Sequence, residues 1–281
     1  MRTGGDAAPR RGWRHGALLV GAAGATAFLS IVALVTAGAT RAFDERLLLA
    51  LRNPLDPADP LGPPWFEETA RDVTALGSNG VLALLVLPAV AFLVAARRRT
   101  EAALLTAVFV GALLLESVAK HLLAHPRPDL VPHAARVFTA SLPSGHATMA
   151  AAVYLTAGAL LARAVPGRRL GAGLVAVGAC LVLLIGLSRV YLGLHWPTDV
   201  AAGWALGAGW AALCWAVAGV SDARAAVGLP VIGTRGSVAT LGVPSASHDA
   251  LDGVEIGDDY STDGRSDPLA AAPPRSGRTV R

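Results

Sequence analysis

The sequence predicts an all-α membrane protein, a polytopic helix bundle of six transmembrane spans with an active site at the outer membrane face. Composition is the first of three observations behind that prediction. Of 281 residues 53% are hydrophobic and 16% charged, and the mean hydropathy is +0.51, too apolar for a soluble domain of ordinary composition. The second is length: apolar runs close to the roughly 20 residues that cross a bilayer occur at Ala17 to Ala39, Gly80 to Ala96, Ala102 to Leu123, Ala147 to Val165, Leu170 to Leu187 and Val200 to Val220. The third is arginine placement, because positive residues stay on the cytoplasmic side. Arg10, Arg11 and Arg14 precede the first run, Arg97 to Arg99 follow the second, and Arg163, Arg168 and Arg169 join the fourth to the fifth. Both termini are then cytoplasmic in a plasma-membrane protein. The connections Arg41 to Asn79, Ala124 to His146 and Ser188 to Asp199 face outward, where Asp44, Glu45, Asp56, Asp59, Glu67, Glu68 and Asp72 also collect.

In chain order, residues 1–16 are polar and basic and read as a cytoplasmic arm. The first span is preceded by arginines and ends in Ala37, Gly38, Ala39, as a secretory signal does, but its apolar run exceeds the usual 7 to 15 residues of a signal core, so it reads as an uncleaved anchor. In the outer segment Arg41 to Asn79, Phe43 to Leu51 has helical spacing and is followed by the helix-breaking NPLDPADPLGPPWF. That segment reads either as an interfacial helix with Trp65 and Phe66 at headgroup depth or as a packed cap loop. Pro88 marks a kink in the second span. The later spans are rich in small residues, which let helices approach closely in lipid. Residues 17–220 thus form one six-span domain, and residues 221–281, poor in bulky apolar side chains, read as a disordered cytoplasmic tail.

The net charge of +4 does not point to nucleic acid, because the basic residues serve topology rather than forming a patch. Cys180 and Cys214 fall inside spans and suggest neither a disulfide framework nor a reactive thiol. Trp196, Trp204, Trp210 and Trp215 read as interface or packing residues.

Three polar clusters interrupt the apolar pattern, and the arginine topology brings all three to the outer face. The first, KHLLAHPRP, holds Lys120, the only lysine in the chain, and Arg127. An ammonium meets a phosphate as a point charge and a guanidinium as a planar fork; equally, Lys120 could snorkel and Arg127 merely end the helix. In the second, Pro143 to His146, Ser144 has N-cap chemistry and Gly145 lets an anion approach backbone N–H groups at a helix start, with His146 in the first turn. The plain alternative is a capped helix with an interfacial histidine. In the third, Ser188, Arg189, His195 and Asp199, the aspartate lies about one helical turn beyond the histidine. It can hold one imidazole N–H and leave the other nitrogen free to attack. Glu116, four residues before Lys120, pairs with it or tunes it. His121 and His125 share a face like half a metal site, without an evident third ligand. His133 and Arg136 face either a headgroup or solvent, and His248 has no partner in view.

Together the clusters read KxxxxxxRP, PSGH and SRxxxxxHxxxD, and this pattern resembles the type 2 phosphatidic acid phosphatase superfamily, which also includes vanadium haloperoxidases; the six-span layout is similar to its membrane lipid phosphatase branch. All eleven fixed positions are present in order. The resemblance implies hydrolysis of a membrane lipid phosphate or diphosphate, of the phosphatidate, phosphatidylglycerol phosphate or polyprenyl diphosphate type, without metal or other cofactor. It implies that His195 attacks phosphorus, Asp199 supports the imidazolium, and His146 protonates the leaving group. Lys120, Arg127, Ser144, Gly145 and Arg189 would hold the phosphate oxygens. Phosphotransfer to a lipid or sugar acceptor uses the same site and is an open alternative, as is non-catalytic binding or transport of a lipid phosphate. A Ser144, His195, Asp199 serine hydrolase leaves the three cations without purpose and lacks a GxSxG elbow. Peroxidase chemistry is disfavoured by the six spans.

Overall fold

The computed structural model describes residues 8–130 and 139–218, with side chains from Trp13 onward. The expectations for His133, Arg136, His248 and the tail at 221–281 fall outside the described residues, as does most of the N-terminal arm. The helices are α1 (Ala8–Thr36), α2 (Arg41–Leu49), α3 (Pro64–Ala75), α4 (Asn79–Ala95), α5 (Arg99–Leu123), α6 (Gly145–Ala164), α7 (Arg168–Tyr191) and α8 (Pro197–Ala218). Strands β1 (Arg52–Asn53) and β2 (Asp56–Pro60) form a short antiparallel hairpin between α2 and α3.

Five helices are long and apolar enough to cross a membrane: α1 from Trp13, α5, α6, α7 and α8. A sixth crossing exists when α3 and α4, bent by 46° at their break, count as one span. The run Gly80 to Ala96, expected as the second span, is the α4 part of that pair. At 17 residues, α4 is only about 26 Å long, and it runs on through Pro88. The bend lies at Leu76 to Ser78, where Ser78 caps α4 by accepting from the Val81 N–H at 3.4 Å.

Helix α6 forms the centre. Ala147, Met149, Ala150, Ala151 and Ala152 are fully buried, and α5, α7 and α8 pack around them. Small residues set these approaches, since lipid supplies no apolar drive between helices and close van der Waals packing must replace it. A side chain at Gly207 of α8 would collide with the Thr148 carbonyl of α6, and one at Gly203 would lie 2.7 Å from the Ser144 carbonyl. On the other flank of α8, a Cβ at Gly24 of α1 would lie 2.7 Å from the Gly209 Cα. Trp204 donates to the Val182 carbonyl at 3.1 Å and Trp210 to the Ala107 carbonyl at 3.2 Å. These indoles therefore bridge helices, and Trp196, 1% exposed, is a core residue rather than part of an interfacial belt.

The segment Arg41 to Asn79 resolves into two short helices and the hairpin, packed on the Ser188 to Asp199 stretch. The periodicity at Phe43 to Leu51 marked α2 correctly to within two residues. The Pro-rich run did not stay irregular throughout: Pro64 sits at the start of α3, where its missing N–H and fixed φ suit a helix start. Arg52 donates to the Tyr191 carbonyl at 2.6 Å, Tyr191 donates from its hydroxyl to the Leu61 carbonyl at 3.0 Å, and Asp44 accepts two bonds from Thr198. The segment is a packed cap with helices in it.

Candidate active site

Lys120, Arg127, Gly145, His146, Arg189 and His195 all line one cavity of about 1010 Å³. The helix ends of α5, α6 and α7 and the turn before α8 converge there, so motifs up to 75 residues apart in sequence meet (120 to 195). Backbone bonds lock the converging loops together. Ser144 N–H donates to the Asp199 carbonyl at 3.0 Å, and Ser141 N–H to the His125 carbonyl at 2.8 Å.

His195 lies in the turn between α7 and α8 and is 1% exposed. Its Nε2 faces the Arg127 Nη1 at 3.1 Å. A guanidinium only donates, so Nε2 is the acceptor and the ring proton is on Nδ1. Burial first, then the charges of Arg189, Arg127 and Lys120, hold the His195 pKa well below the usual imidazole value. The ring is therefore a neutral imidazole with its Nε2 lone pair facing Arg127, the form a nucleophile needs.

Asp199 lies beside His195, in a less direct contact than the spacing suggested. Asp199 Oδ2 stands 3.5 Å from His195 Nδ1, which is ion-pair distance rather than a good hydrogen bond. Ser141 reaches both groups, donating to Asp199 Oδ2 and lying 3.4 Å from His195 Nδ1. The same carboxylate oxygen accepts the Trp196 N–H at 3.0 Å. Asp199 thus reaches back from the third residue of α8 to the residue before it, as the acidic partner of a capping box does.

The cations differ in how they are held. Arg127 engages every donor it has, from Nε to the Thr139 carbonyl at 2.9 Å and from Nη1 to the Leu194 carbonyl at 2.6 Å as well as to His195. Its Nη2 completes the set with Thr139 Oγ1 at 3.1 Å and the Ala140 carbonyl at 3.5 Å. Burial lowers its pKa, against the opposing pull of the Asp199 and Glu116 charges. Arg189 donates to Thr74 Oγ1 at 3.4 Å, and its buried Nε has no partner among the described residues. Lys120 pairs with Glu116, which is itself buried. Gly145 is pressed against that pair, because a Cβ there would lie 2.5 Å from Glu116 Oε1 and 3.1 Å from Lys120 Nζ.

Ser144 departs from its expected capping role. It occupies the N-cap position of α6, yet its side chain makes no cap bond, and its buried Oγ has no partner among the described residues. Ser144 is fully buried and, unlike Gly145 and His146, does not line the cavity, so its free hydroxyl lies one residue behind the cavity wall. His121 lines the cavity with Nδ1 2.8 Å from the Ser117 carbonyl. Sequence reasoning missed Ser141, Thr74 and Asp44. Ser141 carried a signal of sorts, three residues before Ser144 in the same loop; the other two touch the site only through contacts more than 100 residues apart.

The model of the PAP2 superfamily matches residues 100–221, the stretch that holds all three motifs. Phosphatidylglycerophosphatase B of Bacillus subtilis is 31% identical over 181 residues, which is 64% of this chain and 85% of that protein. Decaprenylphosphoryl-5-phosphoribose phosphatase of Mycobacterium tuberculosis is 39% identical over 153 residues, covering 52% of this chain and 76% of the relative. Among solved structures, that of a transmembrane PAP2-type phosphatidylglycerolphosphate phosphatase from Bacillus subtilis superposes with a TM-score of 0.60 at 29% identity, over 66% of this chain and 90% of that one. With a family model over the stretch that bears the motifs and a relative 31% identical that is matched along 85% of its own length, the chain belongs to the PAP2 superfamily, on its membrane-embedded phosphatase branch.

Proposed function

We propose that this protein hydrolyses a membrane lipid phosphate or diphosphate without a metal ion, through a phosphohistidine on His195. The observation that carries the reading is the neutral His195, its Nδ1 backed by Ser141 and Asp199 and its Nε2 facing Arg127 in the cavity that Lys120 and Arg189 also line. Nε2 attacks phosphorus in line, forming the N–P bond as the bond to the leaving oxygen breaks. His146 gives that oxygen a proton, then takes one from the water that cleaves the N–P bond. Asp199 and Ser141 stabilise the imidazolium in between. Lys120, Arg127, Arg189, the Ser144 hydroxyl and the Gly145 N–H hold the equatorial oxygens, where the transition-state charge is spread. Arg127 must exchange its bond to Nε2 for one to a phosphate oxygen as the phosphoryl group arrives. Arginine placement in the sequence supports a site on the extracytoplasmic face.

The relatives act, by name, on phosphatidylglycerophosphate and on a decaprenyl-linked phosphoribose. Candidate substrates are therefore phosphatidate, phosphatidylglycerol phosphate, a polyprenyl diphosphate and a polyprenyl-linked sugar phosphate. The test is phosphate release by purified protein in detergent with excess EDTA, each lipid offered separately and His195→Ala as control. Release that needs His195 and tolerates EDTA is expected. Release surviving the His195 change overturns the mechanism, and turnover that requires an added acceptor lipid or sugar identifies a phosphotransferase instead.

A further inference from the structure

Helix α2 lies outside the three motifs and outside the residues matched by the family model, yet it places a buried carboxylate beside the site. Asp44 is 3% exposed. Its Oδ1 accepts the Thr198 N–H at 2.9 Å and its Oδ2 the Thr198 hydroxyl at 2.7 Å, across 154 residues of sequence. Thr198 is the second residue of α8, directly before Asp199 and three after His195. One turn earlier on α2, Arg41 stacks over the Trp196 ring at 4.7 Å and reaches Asp129 at 3.5 Å, on the segment that carries Arg127.

The first N–H groups of a helix lack partners within it and fix its start only when something else accepts them. In α8 two carboxylates do so: Asp199 takes the Trp196 N–H, and Asp44 takes the Thr198 N–H. One belongs to the proposed dyad; the other belongs to α2 and sets where the dyad sits. A negative charge at a helix start is also favoured by the helix dipole. The margin is narrow, because the His195 to Asp199 separation of 3.5 Å is already at the limit of useful contact, and about 1 Å of misplacement costs roughly a hundredfold in rate.

We infer that Asp44 is a positioning residue for the phosphoryl-transfer site: by bonding Thr198 from α2 it fixes the first turn of α8 and so the placement of His195 and Asp199. The inference rests on the functional reading above. Asp44 spends its side-chain hydrogen bonds on Thr198 and makes none to a cavity-lining group, so its loss is expected to act on turnover more than on phosphate recognition.

The test uses the full-length protein in detergent, with kcat and KM for lipid phosphate release and hydrogen exchange of the peptide spanning residues 189–200. Asp44→Ala is expected to lower kcat tenfold to a hundredfold, to leave KM within about threefold, and to speed exchange of that peptide. Asp44→Asn, which keeps an acceptor for the Thr198 N–H, is expected to restore kcat to within a few-fold. Thr198→Val should lower kcat while Thr198→Ser does not, and this pair decides the matter if Asp44→Ala does not fold. Wild-type kcat in Asp44→Ala and Thr198→Val overturns the inference, as does a change confined to KM or an Asp44→Asn variant as impaired as Asp44→Ala. If the wild type releases no phosphate, the functional reading fails on its own. Unchanged exchange in Asp44→Ala then shows separately that Asp44 does not hold α8.

Discussion

Gly145→Ala is the substitution whose effect follows most directly from the geometry. Gly145 opens α6, and its added Cβ would lie 2.5 Å from Glu116 Oε1, 3.0 Å from Glu116 Cδ and 3.1 Å from Lys120 Nζ. Ordinary contact is about 3.5 Å, so the Glu116 carboxylate must retreat by about 1 Å and carry Lys120 with it. Both are ends of flexible side chains, and alanine is the better helix former, so folding is expected to change little. A phosphate-holding cation displaced by about 1 Å reduces turnover by roughly a hundredfold, or about 2.7 kcal/mol of transition-state stabilisation. The assay pairs kcat/KM for lipid phosphate release with Tm in detergent. Wild-type kcat/KM refutes the reasoning, and so does a loss of activity matched by a comparable collapse in Tm, which would trace the effect to folding.

Other outcomes follow from the same contacts. Gly207→Ala drives a methyl into the Thr148 carbonyl, which is backbone and cannot swing aside, so a loss of about 1–3 kcal/mol is expected; Gly173→Ala, with open space around it, should match or slightly exceed wild type, and Tm in detergent compares them. Arg127→Lys removes a fork whose donors are all engaged, so kcat/KM is expected to fall by at least tenfold, lysine being no substitute at a multidentate site. The depressed His195 pKa sets a sign for stability against pH. The unfolded imidazole takes up its proton near pH 6.5 while the folded one resists it, so this contribution is complete above that pH. It is lost as pH falls, by up to about 1.4 kcal/mol per pH unit. Tm measured from pH 8 to 5 should therefore fall less steeply in His195→Gln than in wild type, and parallel slopes would contradict the assignment.

The long elements were legible because each rests on a local regularity. An apolar run fixes a span wherever it occurs, so Ala102 to Leu123 became Arg99–Leu123 and Leu170 to Leu187 became Arg168–Tyr191; the added N-terminal residues Arg99, Arg168 and Arg169 are exposed, while Ser188 and Arg189 at the other end of α7 are buried at the site. The site was legible because its residue types are costly at a membrane face and stand at fixed spacings. What escaped was the layer around it. Nothing near Asp44 announces Thr198, nothing near Thr74 announces Arg189, and the Pro-rich run concealed α3 because a proline that breaks one helix also begins another. Ser144 looked like a cap by type, and only the fold shows its hydroxyl turned away from that duty.

The elbow between α3 and α4 lies where the fit to bilayer thickness meets the candidate site. Alone, α4 is a few ångströms shorter than a hydrocarbon core of about 30 Å, and the 46° bend lets α3 supply the remainder. A thicker or thinner bilayer must be met by tilting or sliding that pair, at a fraction of a kcal/mol per ångström of mismatch. Gly77 lies at that bend, where an added methyl group would sit 3.3 Å from the His146 side chain and closer still to Ile185. The break between the two helices therefore packs directly against the residue proposed to carry the proton, and only a glycine leaves room for both.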